Sequence, residues 1–174
     1  PSRLGENRPG VFSGALGGGL APSLKVECLM KTKMKRFMKH DTGEGDMGTV
    51  RIGIIGMGGM GYTHCKNITD IKETKLTCVC DNDKKVALEK GREFGVENFT
   101  DYREMIKSGL CDAVMVVIPH WFHADASVFA LENGLHVLCE KPISVTVSDA
   151  DRMVKAAKEN GKIFTVMHQM RTEP

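Results

Sequence analysis

A doubly wound α/β fold around a parallel sheet of about six strands is the architecture this sequence predicts, and three observations carry the prediction. From Val50 onward, short apolar runs alternate with stretches of helical spacing, the pattern of repeated strand-helix-strand units. The run at 112–118 is apolar at almost every position, so it must be covered on both faces, as strands of a parallel sheet are. The first run ends in Gly56-Met57-Gly58-Gly59-Met60-Gly61, a glycine-punctuated turn joining a strand to a helix.

The elements follow in order. The first strand is Val50–Ile55, and the helix after the glycines runs to about residue 70. A second strand at 75–80 leads to a helix at about 83–94. A short connection separates it from a third helix, which Asp101-Tyr102-Arg103-Glu104 opens with acid-first capping spacing. The buried strand at 112–118 feeds a helix at 121–133, which Gly134 stops because glycine accepts a left-handed helix end. His136–Cys139 is the next strand. Thr146-Val147-Ser148-Asp149 caps the last helix, with Val147, Met153, Val154 and Ala157 expected on one face, and the strand at 162–166 follows Gly161. Five strands are thus assigned to residues in a sheet of about six.

Composition excludes several functions. The chain has 174 residues, 41% apolar and 26% charged, enough for one domain with a sizeable core. Its net charge of +2 is too near balance for nucleic acid or an anionic membrane as the main partner. No apolar run is long enough to cross a bilayer, and the basic cluster from Lys31 to Lys39 is followed by polar residues rather than an apolar run, so a secretory leader is not expected. Six scattered cysteines fit reduced thiols in a cytoplasmic protein, and Cys78-x-Cys80 lacks the spacing of a metal site; no metal is expected. Residues 1–46 show neither apolar period and read as a disordered or non-native extension, with residues 28–40 able to form a short basic amphipathic turn. Met47 directly precedes the first strand and is the expected native start, so the folded domain spans residues 47–174.

Three groups of residues carry chemistry. In the first, Gly56 allows the tight turn, Gly58 removes the side chain that would block a pyrophosphate, and Gly61 lets the helix pack against the strand. The free amides of the helix start, contributed by the segment Met57, Gly59 and Met60 share with those glycines, face phosphate charge. Asp81 lies 20 residues after Gly61 at the end of the second strand, the spacing of an acid that binds a ribose hydroxyl pair. Such a carboxylate repels an extra 2′-phosphate, which favours NAD; NADP is the alternative, with Lys84 and Lys85 close in sequence. The competing reading makes Asp81 a helix N-cap. In the second group, Ile118-Pro119-His120-Trp121-Phe122-His123 sits where an apolar strand gives way to a helix, the edge at which open parallel sheets bind ligands. His120 or His123 there either reaches a nicotinamide ribose or amide, or satisfies local backbone groups. In the third, Glu140-Lys141-Pro142 ends the strand beginning at His136. Lys141 is either placed to donate to a substrate oxygen during hydride transfer or forms a surface ion pair before a turn.

Together, the glycine turn, Asp81, Pro119 with His123, and Glu140-Lys141-Pro142 resemble the amino-terminal half of the glucose-fructose oxidoreductase and inositol dehydrogenase family (Gfo/Idh/MocA), over about residues 48–174. The resemblance implies a Rossmann domain binding NAD or NADP, with Lys141 as the catalytic lysine and Glu140 and Pro142 holding it beside the nicotinamide. It implies a second, substrate-binding and oligomer-forming domain, absent here, that carries the general acid or base; His168 does not match that residue and reads as strand-end scaffold. The family's Thr-Pro-Asn at the strand-four exit is replaced here by Ile118-Pro119-His120. The expected whole enzyme moves hydride between a sugar, cyclitol or related polyol and the nicotinamide, and the fragment alone is expected to be inactive. The rival readings are a non-catalytic dinucleotide-binding or sensor module and methyl transfer from S-adenosylmethionine; Glu140-Lys141-Pro142 has no part in the latter.

Overall fold

The computed structural model of the chain describes residues 49–168; the extension expected over residues 1–46 and the proposed start at Met47 lie outside the described residues. Six parallel strands form one sheet: β1 (Val50–Ile55), β2 (Thr74–Cys80), β3 (Glu97–Phe99), β4 (Ala113–Val116), β5 (His136–Cys139) and β6 (Phe164–Val166). Their spatial order is β3-β2-β1-β4-β5-β6, with every neighbouring pair parallel. The chain therefore builds outward from β1 to one edge, returns to the middle and builds to the other. The direction reverses between β1 and β4, and at such a switch the loops leaving the two strands diverge and open a crevice at their carboxyl ends.

Five α-helices connect the strands: α1 (Gly59–Thr69), α2 (Lys84–Phe94), α3 (Tyr102–Lys107), α4 (His123–Glu132) and α5 (Val147–Glu159). Their starts are written locally. The Asp83 carboxylate accepts from the Lys85 and Val86 amides at 2.8 and 3.3 Å, the Asp101 carboxylate from the Arg103 amide at 2.8 Å, and the Thr146 hydroxyl from the Asp149 amide at 3.1 Å. The N-cap of α2 is thus Asp83, and the capping reading of Asp81 is set aside.

The central strands are buried because both faces are packed, while the edge strands β3 and β6 are half-buried or exposed. Val114, Val116, Val137 and Cys139 meet Ala126, Ala130 and Leu131 of α4 and Ala156 of α5. On the other face Ile52, Ile54, Met115 and Leu138 meet Cys65 and Ile68 of α1. Each such fully buried aliphatic side chain stabilises the fold by about 2 kcal/mol relative to exposure. Among the described residues no helix is long and apolar enough to cross a membrane.

Three details differ from the sequence reading. The connection after α2 contains β3, whose Glu-Asn-Phe carries no apolar alternation; it is a three-residue edge strand held only by β2. The helix expected at 121–133 opens as a 3₁₀ turn at His120–Phe122 and becomes α-helical at His123, so that turn carries the chain off Pro119 before the helix proper. On α5 the buried stripe is Met153, Ala156 and Ala157, while Val147 is 79% exposed and Val154 also faces solvent. Val147 is the first residue of α5, where no neighbouring element covers it, and Val154 lies one residue, about 100° of helix rotation, from Met153.

Candidate functional site

At the end of β1 the chain turns through Gly56, whose φ of +96° a side chain would strain, and a Cβ there would overlap the Val117 carbonyl of the adjacent β4 exit. A Cβ on Gly61 would overlap the Gly56 carbonyl, so glycine at 61 is what lets α1 sit this close to the strand it follows. Gly58 differs from both: a Cβ there would meet nothing within 4 Å, and its φ of −66° suits any residue. Gly58 is the N-cap of α1, no side chain caps that helix, and its first turn has no acidic residue. The turn thus presents a helix N-terminus, with its partial positive charge, to open space.

Asp81 faces this turn. Its Oδ2 accepts from the Met57 amide and its Oδ1 from the Asp83 amide, both at 2.9 Å. These bonds fix the carboxylate plane at the end of β2, and each oxygen keeps further acceptor capacity. The Met57 side chain points inward and is 3% exposed, leaving only its backbone at the site, whereas Met60 is 45% exposed. Gly56, Gly58, Asp81, Tyr102, Ile118 and Pro119 line a cleft of about 640 Å³ over the carboxyl ends of β1, β2 and β4. A dinucleotide fits this arrangement: bare amides for its phosphates, room where a side chain at 58 would stand, and a carboxylate one strand away for a ribose.

The other expected residues lie beside this cleft rather than lining it. His120 is half-buried and its ring packs on Trp121 with centroids 4.8 Å apart. His123 is 1% exposed, with Nδ1 2.9 Å from the Pro142 carbonyl and Nε2 2.8 Å from the Ile118 carbonyl. Each ring nitrogen faces a main-chain carbonyl, to one of which a neutral imidazole donates, so this buried ring lies between the β4 and β5 exits with neither nitrogen open to the cofactor contact expected of it.

Glu140 is 7% exposed and forms no ion pair with the Lys141 side chain; its Oε1 lies 2.7 Å from His64 Nε2 and its Oε2 accepts from the Lys141 amide at 3.0 Å. Burial alone would raise its pKa, but the hydrogen bonds from His64 and the Lys141 amide, with the nearby Lys141 ammonium charge, outweigh it and hold the carboxyl below its ordinary value. The surface ion pair read from the sequence is replaced by a buried carboxylate clamping its neighbour's backbone. Lys141 and Pro142 are exposed at the carboxyl end of β5, joined by a cis peptide bond.

His64 was not among the expected site residues. It is fully buried on α1, in the stripe Gly61, His64, Cys65 and Ile68. A histidine inside an apolar stripe at helical spacing was the available signal, but its partner is 76 residues away and nothing local identifies it. Among the described residues no cluster of three or more metal-binding side chains occurs.

Residues 50–168 match the family described as an oxidoreductase family with an NAD-binding Rossmann fold, GFO_IDH_MocA. The scyllo-inositol 2-dehydrogenase (NAD(+)) of Bacillus subtilis is 35% identical over 72% of this chain and 37% of its own length. The scyllo-inositol 2-dehydrogenase (NADP(+)) of the same organism is 31% identical over 71% of this chain and 37% of its own. Among solved structures, the WlbA dehydrogenase from Bordetella pertussis, in complex with NADH and UDP-GlcNAcA, superimposes with a TM-score of 0.66 at 27% identity, covering 69% of this chain and 37% of that one. The chain spans little more than a third of the length of these relatives.

Proposed function

The chain belongs to the Gfo/Idh/MocA oxidoreductase family, whose NAD-binding Rossmann fold it carries, and from that premise we propose that it is the dinucleotide-binding part of an enzyme that passes hydride between a sugar, cyclitol or related polyol and a nicotinamide cofactor. One observation carries the proposal: an uncapped helix N-terminus behind Gly58 opens on the cleft at the strand-order reversal, with the Asp81 carboxylate on its wall. The amides at the start of α1, from Gly58 on, hold the pyrophosphate, whereas those of Gly56 and Met57, the latter expected to be free, are bonded to the Cys80 carbonyl and to Asp81. Asp81 accepts from the adenosine ribose, which favours NAD over NADP, and Ile118 and Pro119 form the apolar wall.

The bound cofactor supplies the site at which hydride is gained or lost. Lys141, the catalytic residue, donates a hydrogen bond to the substrate oxygen and stabilises charge developing there. Glu140, Pro142 and His123 hold its backbone, and His120 lies at the rim. Substrate positioning, proton transfer and homo-oligomer contacts fall to a second domain, so this chain alone binds cofactor with little turnover. The described cysteines are free thiols, which supports a cytosolic setting.

The test is a fluorescence titration of the 174-residue chain with NADH, with Asp81→Ala as control. Saturable binding weakened by the substitution is expected; no binding by the folded chain refutes the proposal. A non-catalytic sensor would bind equally well, so the discriminating step is the chain joined to its second domain. Dehydrogenase turnover abolished by Lys141→Ala, with the protein still folded and ADP-ribose still bound, excludes the sensor.

A further inference from the structure

We propose that His64 is a positioning residue for Lys141, acting through Glu140, so that the helix behind the phosphate turn and the lysine loop form one mechanically coupled unit. The inference rests on the cofactor-binding reading above and extends it to a residue on a different element.

The geometry is a relay of three groups. Glu140 offers two carboxylate oxygens and both are used: Oε1 by His64 Nε2 at 2.7 Å, Oε2 by the Lys141 amide at 3.0 Å. An ionised carboxylate only accepts, so His64 must donate from Nε2. That requirement agrees with the opposite ring atom, Nδ1, which is buried without any hydrogen-bond partner: in the Nε2–H tautomer Nδ1 is a bare acceptor, whereas a proton there would be an unsatisfied buried donor. Both side chains are shielded, His64 completely, so solvent offers neither group a substitute partner.

The two ends of the relay lie on elements that bind different parts of a dinucleotide. His64 sits five residues into α1, the helix whose first turn faces the phosphates. Glu140 and Lys141 leave β5, which is separated from β1 in the sheet by β4. The His64–Glu140 bond therefore spans the switch point. From the other side, the buried His123 ring packs against the loop, with Nδ1 2.9 Å from the Pro142 carbonyl. The Lys141 backbone is fixed at its own N–H by the relay and one residue later by His123. Remove His64, and Glu140 is left as a buried carboxylate short of one donor, free to rotate away from the Lys141 amide.

The test compares two ligands on the 174-residue chain. ADP-ribose occupies the adenosine, pyrophosphate and second-ribose positions, whereas NADH adds the dihydronicotinamide ring beside Lys141. For His64→Ala the expected result is about a tenfold weaker NADH affinity, the scale of one lost hydrogen bond to a charged group, with ADP-ribose affinity unchanged. His64→Gln, whose side-chain amide supplies a donor at a similar reach, is expected to restore most of the NADH affinity. Equal weakening of both ligands would mean that His64 only supports the fold of α1 and would overturn the proposal, as would no effect on either. If His64→Ala does not fold, His64→Gln and Glu140→Gln are compared instead: the proposal requires the double variant to lose no more NADH affinity than Glu140→Gln alone, and additive losses reject it. Failure of the unsubstituted chain to bind either ligand would strike the cofactor reading itself, a result distinct from these.

Discussion

The phosphate turn and the lysine loop lie on the same edge of the sheet but are built by opposite means. The turn is made of backbone: its shape requires glycine at 56 and 61, and what it offers a ligand is amide N–H groups. The loop is made of side chains brought from afar, with His64 76 residues from Glu140 and His123 19 from Pro142. A backbone site tolerates nothing larger at its close-approach positions, whereas a side-chain site fails when a buried polar group loses its partner. The two regions should therefore break differently.

The sharpest break is expected at Gly61. A Cβ there overlaps the Gly56 carbonyl, so Gly61→Ala should cost about 3 kcal/mol of stability, the upper range of overpacking a site that cannot relax, and should abolish NADH binding. Urea midpoints and NADH titration check both. In the loop, Glu140→Gln should cost about 2 kcal/mol, because His64 Nε2–H and the Lys141 amide both need acceptors and a glutamine offers one oxygen. Gly61→Ala should damage the glycine turn first; Glu140→Gln should spare ADP-ribose binding among the molecules that remain folded.

The pH dependence sharpens the same contrast. The Glu140 carboxyl is held below its ordinary value in the folded chain, so its contribution is complete above the unfolded value of about 4.3 and is lost as pH falls through that value toward the lower folded one. Urea midpoints measured from about pH 6 to about pH 3 should fall more steeply for the native sequence than for Glu140→Gln, which has no carboxyl to titrate there. Curves that run parallel would show the carboxylate to be energetically idle.

Smaller effects separate binding from folding. Gly58→Ala meets open space at an ordinary φ, so stability should hold within about 0.5 kcal/mol, the stiffer unfolded chain offsetting alanine's poorer fit at an N-cap, while NADH affinity falls about tenfold or more as the methyl narrows the site. Smallest of all, Lys141→Ala, at an exposed position, should shift stability by less than about 0.5 kcal/mol, measured by thermal melting.

The legibility of the two regions in the sequence follows from their construction. Gly56 and Gly61 declare the turn because its constraints are local: a positive φ at one position and a close approach at another admit only glycine, while Gly58 leaves the space beside them open. Asp81 could be placed because one helix and one strand set its distance along the chain. Capping residues Asp101 and Thr146 were readable for the same reason. β3 was not, because three residues without alternation become a strand only when β2 offers them an edge. Val147 and Val154 misled because helical spacing states which residues share a face but not whether anything covers it.

At the lysine loop, the sequence by itself determined that Glu140-Lys141-Pro142 ends a buried strand. Only the tertiary structure decided that Glu140 turns inward to His64 and that the ring nitrogens of His123 face the carbonyls of Ile118 and Pro142. The reason is physical. A backbone turn is fixed by steric limits acting over a few residues, while the partner of a buried polar side chain is whichever group the packed sheet and helices bring within about 3 Å, and no local pattern records that choice.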